Sequence, residues 1–154
     1  MRYLLVDRII GWEAEKEIIG IKNVAMSEDF LEFHFPKTPI MPGIMLLEAL
    51  TQLAGWLEAA GSGFENWLLL TRVKKCNFYG FVLPGDQVRL EVRCAQAGAN
   101  TAGAGRRIYT GIGEVDGRKR MKAEFEGEIV SLADIEDPEE QKRFFRILTR
   151  EISI

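Results

Sequence analysis

Three prolines, Pro36, Pro39 and Pro42, run directly into a proline-free apolar segment at 44–60. That junction restricts the fold more than any other feature of the chain. Each proline fixes φ at about −65°, lacks an N–H donor and pushes the residue before it out of the α region. The prolines therefore specify a stiff extended loop. Beyond Gly43 the residues are mostly Leu, Ala, Met, Ile and Trp, which predicts a helix of about four to five turns. Such a helix is apolar on nearly every side and belongs inside a domain. Glu48 within it is expected to be buried, where the ionised carboxylate is disfavoured. The helix start presents unpaired N–H groups and the positive end of its dipole, so a partial negative charge arising there is stabilised as in an oxyanion hole. His34, the only histidine, carries an imidazole that titrates near physiological pH. An imidazole, a protonated acid and an N–H at a helix start together form a proton-transfer site.

Around this unit the chain reads as strands. Residues 3–12 and 17–25 are β-rich runs joined by a polar turn at 13–16. After the helix, Gly61, Ser62 and Gly63 break the pattern, and an extended segment resumes over 67–81. Pro84 and Gly85 suit the central positions of a type II turn. Val88, Leu90, Val92 and Cys94 then alternate with Gln87, Arg89, Glu91 and Arg93, as in a half-buried antiparallel strand. A Gly/Ala-rich connection fills 95–105. Runs at 107–115 and 119–131 form a hairpin whose Asp116-Gly117 suits a primed turn; in the second, Met121, Ala123, Phe125 and Ile129 alternate with Lys122, Glu124, Glu126 and Glu128. Six strands with a helix between the second and third predict an α+β fold, a curved antiparallel sheet wrapped round that helix. Pattern alone leaves other α+β folds open. In the tail, Asp137 as N-cap, Pro138 at the first helical position and Glu139 and Glu140 in the first turn predict an added C-terminal helix. Phe144, Ile147, Leu148 and Ile152 give it an apolar stripe. That stripe is expected to pack on the chain's own sheet, with a subunit contact or a cover over a tunnel mouth as the alternatives.

At 154 residues the chain is expected to be one domain able to bury about 70% of its unfolded surface: a core unit over 1–132 and a helical extension over 133–154. A net charge of −3 argues against a nucleic-acid binder. No apolar run is long enough to span a membrane, and charge appears too early for a signal peptide, so a cytoplasmic location is expected. Cys76 and Cys94, with one histidine, make neither a CxxC pair nor a zinc set. They read as reduced thiols, and neither a metal nor a cofactor is expected.

The stretch HFPKTPIMPGIMLLEALTQ resembles the signature of the β-hydroxyacyl-acyl carrier protein dehydratases of type II fatty acid synthesis, the FabZ/FabA-like hot-dog enzymes. His34, Phe35, Pro36, Pro39, Ile40, Pro42, Gly43, Glu48 and Gln52 stand at the family's offsets. Glu at position 48 is the choice of the general dehydratases, whereas the isomerising branch usually has Asp. LLVDR at 4–8, IKNV at 21–24 and VLPGDQVRLEV at 82–92 extend the match. Two positions depart from the pattern. Phe33 replaces a Gly, a side chain able to narrow the acyl tunnel or block it, and Tyr79 and Gly80 stand where many members carry basic residues.

The resemblance implies a hot-dog fold and reversible loss of water from a (3R)-hydroxyacyl thioester. His34 is then the general base and Glu48 the general acid, the Gly43 N–H faces the thioester oxygen and Gln52 orients Glu48. Phe33, Phe35, Pro42, Trp56, Phe78 and Tyr79 are the tunnel candidates. In the family the histidine and the acid of one site come from two subunits, which implies a homodimer or larger homo-oligomer. The substrate carrier is acyl carrier protein through its phosphopantetheine arm, or coenzyme A. Arg72, Lys74, Lys75, Arg106, Arg107, Arg118, Lys119 and Arg120 either meet that carrier or form a solvated strand face. A hydratase of coenzyme A thioesters, a thioesterase and a non-catalytic acyl-binding paralogue are the alternatives.

Overall fold

The computed structural model describes residues 4–28, 31, 39–95 and 106–151. His34 and its neighbours Phe33, Phe35 and Pro36, most of the 95–105 connection, and Ile152 lie outside the described residues. The elements run β1 (Arg8–Glu13), β2 (Glu17–Asn23), α1 (Gly43–Gly61), β3 (Asn66–Phe78), β4 (Gln87–Cys94), β5 (Arg106–Val115), β6 (Arg118–Ser131) and α2 (Pro138–Leu148). The six strands form one antiparallel sheet in the order β1-β2-β4-β5-β6-β3. This is the hot-dog arrangement, with α1 as the filling. Tight turns sit where their chemistry demands. Asp116 and Gly117 adopt φ of 52° and 77°, and Gly85 adopts 95° after Pro84, as primed and type II turns require.

Alternation on the strands meets the apolar helix to make the core. Leu50, Leu53 and Leu57 of α1 lie among Ile18, Val88, Leu90, Met121 and Phe125, all of them buried. Two glycines let helix and sheet approach. A Cβ on Gly111 would come within 2.9 Å of Leu50, and one on Gly20 within 3.0 Å of Leu53 and 2.9 Å of the Arg8 carbonyl oxygen. At the far end of α1, Trp56 meets Trp67 edge-on at 5.1 Å between ring centroids.

Three expectations need correction. First, α1 is not enclosed on every side: Glu48 is exposed and Ile44 is 66% exposed. Residues four apart share a stripe of a helix, and this stripe is the one that the chain's own sheet does not cover. Second, α2 starts as expected, with the Asp137 carboxylate accepting from the Glu139 N–H at 3.0 Å, but its buried stripe is Gln141, Phe145 and Leu148. Phe145 reaches Trp12, Trp56 and Phe64 at centroid separations of 6.0, 5.8 and 5.5 Å. Ile147 stays 49% exposed.

Third, Glu126 is buried although its strand pattern assigns it to the solvent face. Arg106 donates to one carboxylate oxygen at 2.6 Å, and Lys74 approaches the other at 3.5 Å. The Arg106 hydrogen bond, opposed by burial and helped by the two positive charges, holds the Glu126 carboxyl below the usual carboxylate range. A folded value below the unfolded one adds stability at neutral pH that is lost as pH falls through the depressed folded value. Glu126→Gln is therefore expected to flatten the acid limb of the stability–pH curve. Urea midpoints taken from neutral pH into the acid check this, and a mutant curve parallel to wild type throughout contradicts it.

Candidate active site

Pro42 caps α1 without a side-chain hydrogen bond, and its carbonyl accepts from the Met45 N–H at 2.9 Å. Gly43 is the first helical residue, so its N–H belongs to the group that a helix leaves without an internal partner. Its missing side chain matters here, because a Cβ would come within 2.3 Å of the Phe78 ring.

Five residues on, a braced acid stands on the exposed stripe. The Leu5 N–H donates to Gln52 Oε1 at 2.9 Å, and Gln52 Nε2 donates to Glu48 Oε1 at 3.3 Å. The Leu5 contact fixes which end of the amide faces which way, so the NH2 points at Glu48. Thr51 Oγ1 lies 3.3 Å from the second Glu48 oxygen. Thr51 Oγ1 also donates to the Glu48 backbone carbonyl at 2.9 Å, so Gln52 is the group that orients the carboxyl. An acid so held, yet reachable from outside, is suited to exchanging a proton with a bound molecule.

Two pockets border this stripe on different faces of α1. One, of about 770 Å³, is lined by Met45, Glu48, Gln52 and Trp56 of α1, Leu4 and Val6 of the N-terminal segment, Trp67, and a face of α2. The other, of about 910 Å³, is lined almost wholly by apolar groups that include Pro42, Gly43, Ile44, Val73, Phe78 and Phe81. The tunnel candidates are thus divided: Trp56 faces the first pocket, Pro42 and Phe78 the second. Tyr79 lines neither and is 54% exposed, with Lys119 Nζ 5.8 Å from its ring centroid. Phe33, Phe35 and His34 lie outside the described residues. Among the described residues no group of three His, Cys, Asp or Glu side chains is placed to hold a metal, and no helix is long and apolar enough to cross a membrane. Both cysteines are free.

Two groups stand apart from what sequence reasoning favoured. The α2 residues that wall the first pocket, Phe144 and Ile147 among them, were read first as packing on the sheet, with a cover over a tunnel mouth only as an alternative. The buried Tyr109 hydroxyl donates to Glu58 Oε2, with Arg107 Nε 3.9 Å from the other oxygen. Burial first, then the Glu58 charge, pushes the Tyr109 phenol far above its ordinary range, so it stays a donor at any physiological pH. This pair borders neither pocket. It ties α1 to β5, and the carboxylate of Glu58 within the apolar run was the only sign of it.

A FabA-like domain profile matches residues 1–124. The chain belongs to the FabA-like family. The FabA-like chain is 36% identical over 130 residues to the 3-hydroxyacyl-[acyl-carrier-protein] dehydratase FabZ of Bartonella bacilliformis, spanning 83% of this chain and 81% of that one. It is 50% identical over 91 residues to FabZ of a Thermoanaerobacter species, spanning 58% and 64%. In three dimensions it superposes on a Streptococcus mutans protein crystallised with acetyl CoA, with a TM-score of 0.63 at 13% identity, covering 85% and 94%. That likeness carries the fold alone. The helix α2 lies beyond the residues that the family profile matches.

Proposed function

We propose that this FabA-like protein is a 3-hydroxyacyl-acyl carrier protein dehydratase, a hydro-lyase of fatty acid synthesis that works in the cytoplasm as a homodimer or larger homo-oligomer. The observation that carries the reading is the Leu5–Gln52–Glu48 hydrogen-bond chain beside a pocket on α1, at the positions where the dehydratase signature has its acid and the glutamine after it. His34 takes the proton from C2 of the (3R)-hydroxyacyl thioester. The Gly43 N–H meets the thioester oxygen as negative charge gathers there. Glu48 gives its proton to the C3 hydroxyl as the C–O bond breaks, so the products are water and the trans-2-enoyl thioester. His34 then holds one proton and Glu48 lacks one, and transfer through water resets the pair.

A second copy is expected to complete the site. β3 is an edge of the sheet, 13 residues long, and an open edge of that length is a template for pairing. Its exposed Val73 and Phe78 continue the apolar surface of Ile44 and Phe81. On this reading the partner copy supplies the histidine that works with Glu48, as the family resemblance implies.

The test is a turnover series of (3R)-hydroxyacyl thioesters on acyl carrier protein and on coenzyme A, followed by the absorbance of the conjugated product. Enoyl thioester formed faster on the carrier protein is the expected result. Release of free thiol, which dehydration never produces, points to a thioesterase and overturns the reading.

A further inference from the structure

We infer that α2 is the end wall of the acyl site and sets the length of acyl chain accepted; this rests on the dehydratase reading and extends it to substrate choice. Along α1, Glu48, which serves the C3 hydroxyl, is followed at four-residue steps by Gln52 and Trp56, and all three line the first pocket, whereas Gly43 borders the second. The carbons after C3 run along that row. From Glu48 to Trp56 the helix rises about 12 Å. At 770 Å³ the pocket is of the size that takes small ligands, roughly 300–1,000 Å³. Its far side is α2.

The helix divides its surface in a way that packing alone does not explain. Gln141, Phe145 and Leu148 bury against the core. The neighbouring stripe carries Phe144 and Ile147 into the pocket, with the Phe144 ring 5.8 Å from that of Trp56. Ile147 on α2 and Leu4 on the opposite lip are 49% and 52% exposed. The lining also holds Glu140, Gln141 and Arg143 of α2, but the two exposed aliphatic side chains, with indole and phenyl rings in the same pocket, fit a hydrocarbon tail. Each methylene buried there adds roughly fourfold to affinity.

Two variants test this: Ile147→Trp to shorten the pocket and Phe144→Ala to deepen it. kcat/KM is measured for 3-hydroxyacyl thioesters of graded length, and affinity for non-reactive thioether analogues of the same lengths by titration calorimetry. Ile147→Trp is expected to lower the long-to-short ratio in both readouts by roughly tenfold or more, as two or more methylenes lose their burial. Phe144→Ala is expected to raise it. Folded variants that both keep the wild-type ratio overturn the inference. Wild-type protein that turns over no hydroxyacyl thioester, yet binds the analogues with a length profile that shifts in Ile147→Trp, overturns the proposed activity and supports the acyl wall.

Discussion

Replacing His34 by Asn is expected to cut turnover of 3-hydroxyacyl thioesters by roughly 10² to 10⁴, the span that general-base catalysis supplies. Glu48→Gln is expected to fall within the same range for a separate reason. The amide fills the same volume, and its carbonyl still accepts from Gln52 Nε2, which lies 3.3 Å from Glu48 Oε1 in the wild type. What it lacks is an acidic proton, so the C3 oxygen must leave as hydroxide instead of water. Because Glu48 is exposed in the single chain, stability is expected to change by no more than about 0.5 kcal/mol. The loss therefore reads chemistry and not folding. Steady-state kinetics beside a thermal melt separate the two, and either variant working at the wild-type rate contradicts its assigned role.

Phe145→Ala is expected to have the largest effect on stability, a loss of about 3–5 kcal/mol. Its ring is 6% exposed and meets Trp12 of β1, Trp56 of α1 and Phe64 of the turn after α1. It is thus the side chain through which α2 grips three separate segments. In a chain of this length the loss corresponds to a melting temperature lower by about 6–20 °C, compared at one protein concentration because association shifts the midpoint. Amide exchange adds a local reading. Protection is expected to fall over α2 more than over β4, whose core residues Val88, Leu90 and Val92 do not depend on this ring. A midpoint within about 2 °C of wild type, or uniform loss of protection, contradicts this view of α2.

Those two expectations also mark what can be read from the residues and what cannot. The alternation in β4, the Asp116-Gly117 turn, Pro84-Gly85, and the Asp137-Pro138 start of α2 are local signals, and each corresponds to an observed element. Strand order is not local. Nothing in 66–78 announces that β3 crosses to the far edge beside β6, because that choice depends on pairings far apart in sequence. The exposure of Glu48 was hidden for a related reason: when a helix is apolar almost all round, only the packing shows which stripe the sheet leaves bare. At Phe144 and Phe145 adjacent identical rings gave no basis for choosing the buried one, and a shift of one residue exchanges the stripe facing the core for the stripe facing the pocket. Glu126 was misplaced because an outward carboxylate can still be buried when Arg106 and Lys74 close over it. At the site, the spacing from His34 to Gln52 pointed to a dehydratase, and the Gln52–Glu48 hydrogen bond lies where that spacing puts it. The wall contributed by α2 falls outside the matched pattern.

The central claim is that the base and the acid of one site come from two copies of this chain, and mixing two inactive variants tests it most directly. His34→Asn and Glu48→Gln proteins are unfolded together and refolded in equal amounts, and dehydration of a 3-hydroxyacyl-acyl carrier protein is measured. In a mixed dimer one site holds both lesions and the other holds neither, so random pairing with two-fold symmetry restores about a quarter of wild-type activity. Activity no higher than the mean of the two variants, from a mixture shown to contain the mixed dimer, would contradict the shared site and place His34 and Glu48 on the same chain.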